Sequence, residues 1–444
     1  MSYIDEVLEQ VKQRDPNEPE YYQAVKECLE TVRPLTESKE AAYRENAILE
    51  RIVEPDRIIT FNVPWIDRSG KVKINRGWRI QYNNAIGSYK GGLRFHRTVN
   101  QSILKCLGFE MMLKNALTGL PMGGAKGGSD FDPKGKTDRE VMQFCQSFMN
   151  ELYKYIGANE DCLADDIGCG GREIGYLFGQ YKKLTTSFEG ALSGKGIDFG
   201  GSPVRREATG YGLGYMVDEM CRANGKTLEG KTVIVTGAGN VAIYTAEKCQ
   251  QLGARVVAMC DFNGYIHDPE DIRLSVVKQI KEIERERLGE YVNRVKGATY
   301  TEGKGIWNIP CDVYLPCATQ NEIHVEAAKT LVDNGVFLVA EGANMPTDPE
   351  ARAYFQSKSV LFMPGKAGNA GGVSVSGLEQ AQNSQRCYWS FEKVDCRLRE
   401  IMHGIFVRTE ETARAYGREG DYVSGANICA FEKVASAMIQ QGIV

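Results

Sequence analysis

The chain has 444 residues, with 54 Lys and Arg against 58 Asp and Glu, a net charge of −4, and 42% hydrophobic and 25% charged residues. This composition excludes a disordered or collagen-like chain, and at roughly 150 residues per domain it leaves room for two or three cores. No basic block tracks a phosphate backbone, so nucleic acid is not expected as a partner, and no apolar run reaches the roughly 20 residues of a membrane span.

From Ile4 to Ile52 apolar residues recur at helical spacing (Val7, Leu8, Val11; then Tyr21, Val25, Cys28, Leu29), which predicts a helical N-terminal segment. From Arg57 the period changes to two, and Asp67-Arg68-Ser69-Gly70 reads as the turn of a hairpin whose second strand carries Val72, Ile74, Trp78, Ile80 and Tyr82. Helices are predicted near 100–118, 138–156 and 172–184, with glycine-rich loops between them. Ser193 to Pro203 is rich in chain punctuators and marks a domain boundary, placed after residue 201. Beyond it strands and helices alternate: Thr232–Thr236, a helix to Leu252, Arg255–Cys260, a charged helix near 270–288, then Val313–Leu315, Val336–Ala340 and Val360–Met363. Such alternation predicts an α/β fold with a doubly wound parallel sheet over 202–375. The remainder, 376–444, reads as helix, interrupted around Gly417 to Gly425.

The first six residues lack the basic and then apolar regions of a secretory leader, so a cytoplasmic protein is expected. The 13 cysteines show no metal-knuckle or redox spacing and read as reduced interior thiols; with only four scattered histidines, no metal site is expected. Glycine, at 48 residues, is the outlier, and its clusters sit where chemistry is expected. Thr232–Thr236 runs into Gly237-Ala238-Gly239-Asn240-Val241-Ala242, a Gly-x-Gly-x-x-Ala turn from strand to helix. The first glycine permits the turn, the second admits a pyrophosphate to the backbone, and the small third residue lets helix and strand pack. Asp261, 24 residues after Gly237, ends the next strand, where a carboxylate accepts from an adenosine ribose.

Pro121 to Gly128 places Lys126 between two glycine pairs. In a closed cleft such a lysine loses proton affinity and serves as a base or electrophile; otherwise it is a solvated loop lysine. Lys90, in Tyr89-Lys90-Gly91-Gly92-Leu93-Arg94-Phe95-His96, and Lys114 would complete a dicarboxylate site. In Asp165-Asp166-Ile167-Gly168 the acids are either helix caps or proton-transfer groups.

Together these motifs resemble those of glutamate dehydrogenases of the short hexameric bacterial type, over essentially the whole length. The resemblance also rests on Pro121 through Asp132, Glu207 through Gly212, Leu315 through Asn321, Glu341 through Pro346, and Asn369 through Val373. It implies a substrate-binding and oligomerisation domain over 1–201, a Rossmann-type dinucleotide-binding domain over 202–375, and C-terminal helices over 376–444 that pack back on the first. It further implies that Lys90 and Ser376 hold the side-chain carboxylate of L-glutamate, and Lys114 its α-carboxylate. Lys126 would be the catalytic lysine and Asp166 the proton-transfer acid, with domain closure excluding water. Thr209, Asn240, Asn344 and Asn369 join Gly237, Gly239, Val241 and Asp261 as cofactor contacts. The implied reaction is reversible oxidative deamination to 2-oxoglutarate and ammonium with NAD or NADP, in a homohexamer with subunit contacts from the strands at 57–83.

Two positions depart from the family pattern. Met111 stands where glutamine is usual near the α-carboxylate, and Asp165 where glycine usually precedes the catalytic aspartate. If Asp165 lies against Asp166, like charges raise one of the two pKa values, and substrate binding is altered or impaired, as in an amino-acid dehydrogenase of changed specificity; if it turns toward solvent instead, it matters little. Asp261, followed by Phe262 where NADP-using relatives carry a serine, favours NAD, while Lys281 and Arg285 offer charge for a 2′-phosphate.

Overall fold

The N-terminal periodicity becomes five short helices in the computed structural model, which describes residues 2–444. These are α1 (Tyr3–Arg14), α2 (Pro19–Thr31), α3 (Arg33–Ser38), α4 (Glu40–Glu45) and α5 (Ile48–Ile52). Ser2 and Asp5 close a capping box on α1, and prolines open α2 and α3, where a missing N–H leaves no bond unmade.

The chain divides into two units. The first takes everything up to Pro203 together with Val375–Val394 and Asn427–Val444; the second takes Val204–Ser374 and Asp395–Ala426. In the first, β1 (Arg57–Ile66) and β2 (Val72–Asn83) form the expected antiparallel hairpin, turning at Gly70 with φ +82°. Then follow β3 (Tyr89–Phe95), α6 (Gln101–Thr118), β4 (Gly124–Ser129), α7 (Asp138–Leu152), β5 (Asp161–Asp165) and α8 (Gly171–Thr185). The sheet order is β1-β2-β4-β3-β5, with β3 parallel to both neighbours. Leu93, Phe95, Phe131, Phe144, Phe148, Leu163 and Leu177 fill one core, where Phe131 and Phe144 stack. The segments around Lys90 and Lys126 are therefore buried strands, not glycine-rich loops. Glycine usually weakens a strand, but here β3 and β4 approach too closely for side chains. A Cβ on Gly91 would strike the Ala125 carbonyl, and one on Gly128 the Arg94 carbonyl.

The second unit contains α9 (Ala208–Ala223), β6 (Thr232–Val235), α10 (Asn240–Gln251), β7 (Arg255–Cys260), β8 (Gly264–His267), α11 (Leu274–Lys278) and β9 (Thr299–Glu302). It continues with β10 (Val313–Leu315), α12 (Val325–Asp333), β11 (Leu338–Ala340), α13 (Pro349–Ser357), β12 (Leu361–Met363) and α14 (Gly365–Gly368). The sheet runs β12-β11-β10-β6-β7-β8-β9. Its first five strands are parallel as expected, while β8 and β9 add an antiparallel edge that the pattern did not predict. Neither added strand, Gly264-Tyr265-Ile266-His267 or Thr299-Tyr300-Thr301-Glu302, carries the apolar run that marks the even shorter β10, β11 and β12. The charged helix expected near 270–288 is α11 prolonged by a π-helical turn, and it stops at Arg285, φ +59°.

The last helices are α15 (Gly371–Ser384), α16 (Phe391–Ala415) and α17 (Tyr422–Gln441). The tail expected as one region is shared, since residues 395–426 pack with the second unit. Among the described residues no helix is long and apolar enough to cross a membrane.

Candidate functional site

Strand geometry assembles the first cluster. Lys126 lies on β4 just before the Leu93–Gly127 pair that opens its register with β3, where Gly92 and Arg94, two residues apart, share one face because strand side chains alternate. A Cβ on Gly92 would stand 3.0 Å from Cβ of Asp166, so only glycine leaves the aspartate its place. Asp166 follows β5, and its Oδ2 accepts from Lys126 Nζ at 2.9 Å and from Arg94 Nε at 2.9 Å. Burial raises the Asp166 pKa, but the two cations outweigh it and hold the carboxyl far below the usual range. Burial lowers the Lys126 pKa, opposed by Asp166 and reinforced by Arg94. Behind the cluster, fully buried Arg79 on β2 forks onto Asp161 and donates to the Gly91 carbonyl at 3.0 Å.

Lys90, wholly buried on β3, donates to Ser193 Oγ at 2.6 Å and to the Leu163 carbonyl at 3.2 Å; Ser193 in turn meets Ser376 Oγ. Ser376 is fixed because Glu379, one turn along α15, accepts from the backbone of Gly194 and Lys195 and from Lys195 Nζ at 2.7 Å. Met111 and Lys114 are half-buried and, three apart, share one face of α6. Asn115 ties that helix to β3 through the Lys90 carbonyl at 3.1 Å.

Asp165 turns away from Asp166. Its Oδ1 would lie 2.6 Å from a Cβ on Gly194, so the carboxylate faces that loop while the Asp166 carboxylate turns to Lys126 and Arg94. The rise expected for one of the two acids, should they lie together, does not fall on Asp166, whose pKa is lowered by the two cations that stand on it.

In the second unit the turn after β6 is built from backbone. Gly237 has φ +92°, and a Cβ there would press on the Cys317 carbonyl at 3.1 Å; Gly239 has open space at its Cβ position. Gly239 caps α10, whose first residues Asn240 and Val241 are accessible, so N–H groups and a helix dipole face an open cradle suited to a pyrophosphate. Thr209, in the first turn of α9, packs under Gly372. Asn369 Nδ2 donates to Asn344 Oδ1 at 2.8 Å. Beneath this pair lies Glu341, whose buried carboxylate accepts from the Gly365 N–H at 2.7 Å; burial pushes its pKa up to about 7. Asp261 is spent on its own chain: Oδ1 accepts from the Asn263 N–H at 3.0 Å, Oδ2 from the Leu288 N–H at 2.9 Å, and Lys281 stands 3.7 Å away.

Sequence reasoning missed Arg94, Ser193 and Glu341 as site residues. Arg94 was detectable, since a strand through Lys90 puts residues 90, 92 and 94 on one face. Ser193 and Glu341 carry no local signal.

The chain matches the family described as Glutamate/Leucine/Phenylalanine/Valine dehydrogenase over residues 200–442, and that of the Glu/Leu/Phe/Val dehydrogenase dimerisation domain over 55–183. It is 54% identical to an NAD(P)-specific glutamate dehydrogenase of Xylanibacter ruminicola, covering 99% of both chains. It is 52% identical to an NADP-specific glutamate dehydrogenase of Helicobacter pylori, over 99% of this chain and 100% of that one. A solved Plasmodium falciparum glutamate dehydrogenase superposes with a TM-score of 0.97 at 48% identity, over 99% of this chain and 95% of that one.

Proposed function

Since the chain belongs to the glutamate/leucine/phenylalanine/valine dehydrogenase family, we propose that Lys126 and Asp166 carry the chemistry of its reaction. The reaction is reversible oxidative deamination of L-glutamate to 2-oxoglutarate and ammonia, with NAD or NADP. The observation behind the assignment is a nearly buried lysine on an ionised carboxylate in a cationic site. A nicotinamide dinucleotide, when bound, supplies the hydride acceptor.

Lys90 with Ser376 takes the distal carboxylate of the substrate, Ser193 holds both in place, and Lys114 takes the α-carboxylate. Fixing both ends orients Cα, the atom that must lose hydride. Once Cα has become an iminium carbon, neutral Lys126 accepts a proton from water as the water oxygen bonds to that carbon. As the carbinolamine collapses, the proton Lys126 has gained is relayed past the Asp166 carboxylate, ionised before and after the step, to the departing nitrogen; the hydroxyl proton returns to Lys126, and ammonia leaves. The Gly237–Val241 turn would hold the pyrophosphate of a bound dinucleotide, and Thr209, Asn344 and Asn369 would be further contacts to it. Because Lys281 and two backbone N–H groups offset the Asp261 charge, that residue discriminates weakly against a 2′-phosphate, and both cofactors are taken.

We further propose a homohexamer, supported by the exposure of Ile66, Val72 and Ile74 on the β1–β2 hairpin, apolar surface a lone chain would leave in water. A cytoplasmic location is supported by cysteines that stand as thiols, most of them buried. Initial rates with L-glutamate and either cofactor, and with 2-oxoglutarate and ammonium in reverse, test the reading. Turnover in both directions is expected from the parent and a loss of at least about 1,000-fold from Lys126→Ala, with cofactor binding retained; an active Lys126→Ala would sink the assignment.

A further inference from the structure

The carboxylate oxygen that Lys126 holds is shared. Asp166 Oδ2 accepts from Lys126 Nζ and from Arg94 Nε, each at 2.9 Å, and all three side chains are at least four-fifths buried. A buried lysine alone with a buried carboxylate is a poor base, because giving up its proton would strand an unpaired anion in a desolvated site. A second, permanently charged donor on the same oxygen removes that obstacle, since arginine is never neutral in a protein.

We infer that Arg94 is a positioning residue of the reaction: it neutralises Asp166 so that Lys126 can cycle between ammonium and free amine while the carboxylate stays ionised and in place. The inference rests on the assignment of Lys126 and Asp166 above. With Lys126 protonated the trio carries +1; with Lys126 neutral it is an Arg94–Asp166 ion pair of charge zero, so a proton is lost without creating a bare buried charge.

The other charged group of the sheet that acts on Lys126 is Arg79 on β2, whose own charge is matched by Asp161. From α6, which packs on β4, Lys114 adds a cation to the proposed site. Asp165 faces Gly194 instead. Arg94 thus weakens the hold of the site on the Lys126 proton while opposing burial at Asp166. Two glycines make the arrangement possible, Gly92 by leaving room for Asp166 and Gly128 by letting β4 lie against the Arg94 backbone.

The test is the pH profile of kcat/KM for glutamate oxidation in Arg94→Gln and Arg94→Lys, with dinucleotide binding followed in parallel to show a folded protein. Without the charge, the limb on which activity rises as Lys126 deprotonates moves to higher pH by about one unit or more, and the rate at neutral pH falls at least about 10-fold. Arg94→Lys keeps a cation on Asp166, so its limb stays within about 0.3 units of the parent. An unshifted limb in Arg94→Gln, whatever its rate, overturns the inference. So does a limb displaced by a full unit in Arg94→Lys, which also decides the matter should the glutamine variant not fold. Lys126→Ala measured alongside separates the two claims. If it turns over normally, the assignment of Lys126 falls; if it is dead while Arg94→Gln keeps the parental limb, only the role of Arg94 falls.

Discussion

The candidate sites of the two units handle buried charge differently. In the first, the deeply buried carboxylates meet cations: Asp161 has Arg79, Glu379 has Lys195, and Asp166 has Lys126 and Arg94. In the second, Glu341 is answered by the Gly365 backbone N–H, and the turn that reads as a phosphate cradle is backbone throughout. The contrast follows from the ligands proposed for each. A small dicarboxylate undergoing proton transfer needs side chains whose charge is fixed or changes on demand, whereas a pyrophosphate is met by N–H groups that no substitution removes.

The sharpest way to break the comparison is Asp166→Asn. It removes the carboxylate that faces both cations and leaves Lys126 beside Arg94 with only a neutral amide between them, so kcat is expected to fall by about 1,000-fold while dinucleotide binding, followed by fluorescence titration, stays at the parental value. Parental turnover in this variant would mean that the cluster is a structural ion pair.

Glu341 sharpens the contrast in stability. Its folded pKa, about 7, lies above the ordinary 4.5, so the folded state holds this proton more tightly than the unfolded one. Its contribution is full below about pH 4.5 and is lost as pH rises through about 7; the span of 2.5 units corresponds to about 3 kcal/mol at most. Unfolding free energy in the parent should fall across that window, and Glu341→Gln should flatten the fall. Equal slopes in the two proteins would show that Glu341 stays ionised throughout.

Gly237→Ala tests the backbone cradle. At φ +92° an alanine is strained, and its Cβ meets the Cys317 carbonyl at 3.1 Å, so dinucleotide affinity should drop by about 10- to 100-fold. An unchanged Kd would detach the turn from cofactor binding.

How much of this was legible in the sequence differs between the units for the same physical reason. The cradle of the second could be read directly, because a tight turn between a strand and a helix constrains consecutive residues and the glycines announce it. In the first, Lys90, Lys126 and Asp166 were visible as residue types, but their grouping depends on three strands in register, and the glycines that let β3 and β4 touch disguised those strands as loops. Ser193 is more than a hundred positions from Lys90, and no local pattern encodes a contact of that span. Asp165 and Asp166 show the converse, since adjacent carboxylates suggested repulsion, while strand alternation sends one to Gly194 and the other to two cations.

The smallest effects probe those last two residues. Ser193→Ala deletes the hydroxyl between Lys90 and Ser376 without touching the proton-transfer cluster. A lost bond to a charged group, about 1 to 2 kcal/mol, predicts a KM for glutamate raised roughly 5- to 20-fold with kcat within about twofold of the parent. A fall in kcat instead would mean that Ser193 supports the chemistry itself. Asp165→Asn keeps the shape against Gly194 and removes only the charge. If Asp166 is governed by Lys126 and Arg94, kcat/KM and its pH profile should move by less than about twofold and 0.2 units, since a charge turned away from the cluster contributes little beside two cations at 2.9 Å. A larger shift toward lower pH would show that Asp165 helps Lys126 keep its proton, and the adjacent acids would then have to be treated as one titrating pair.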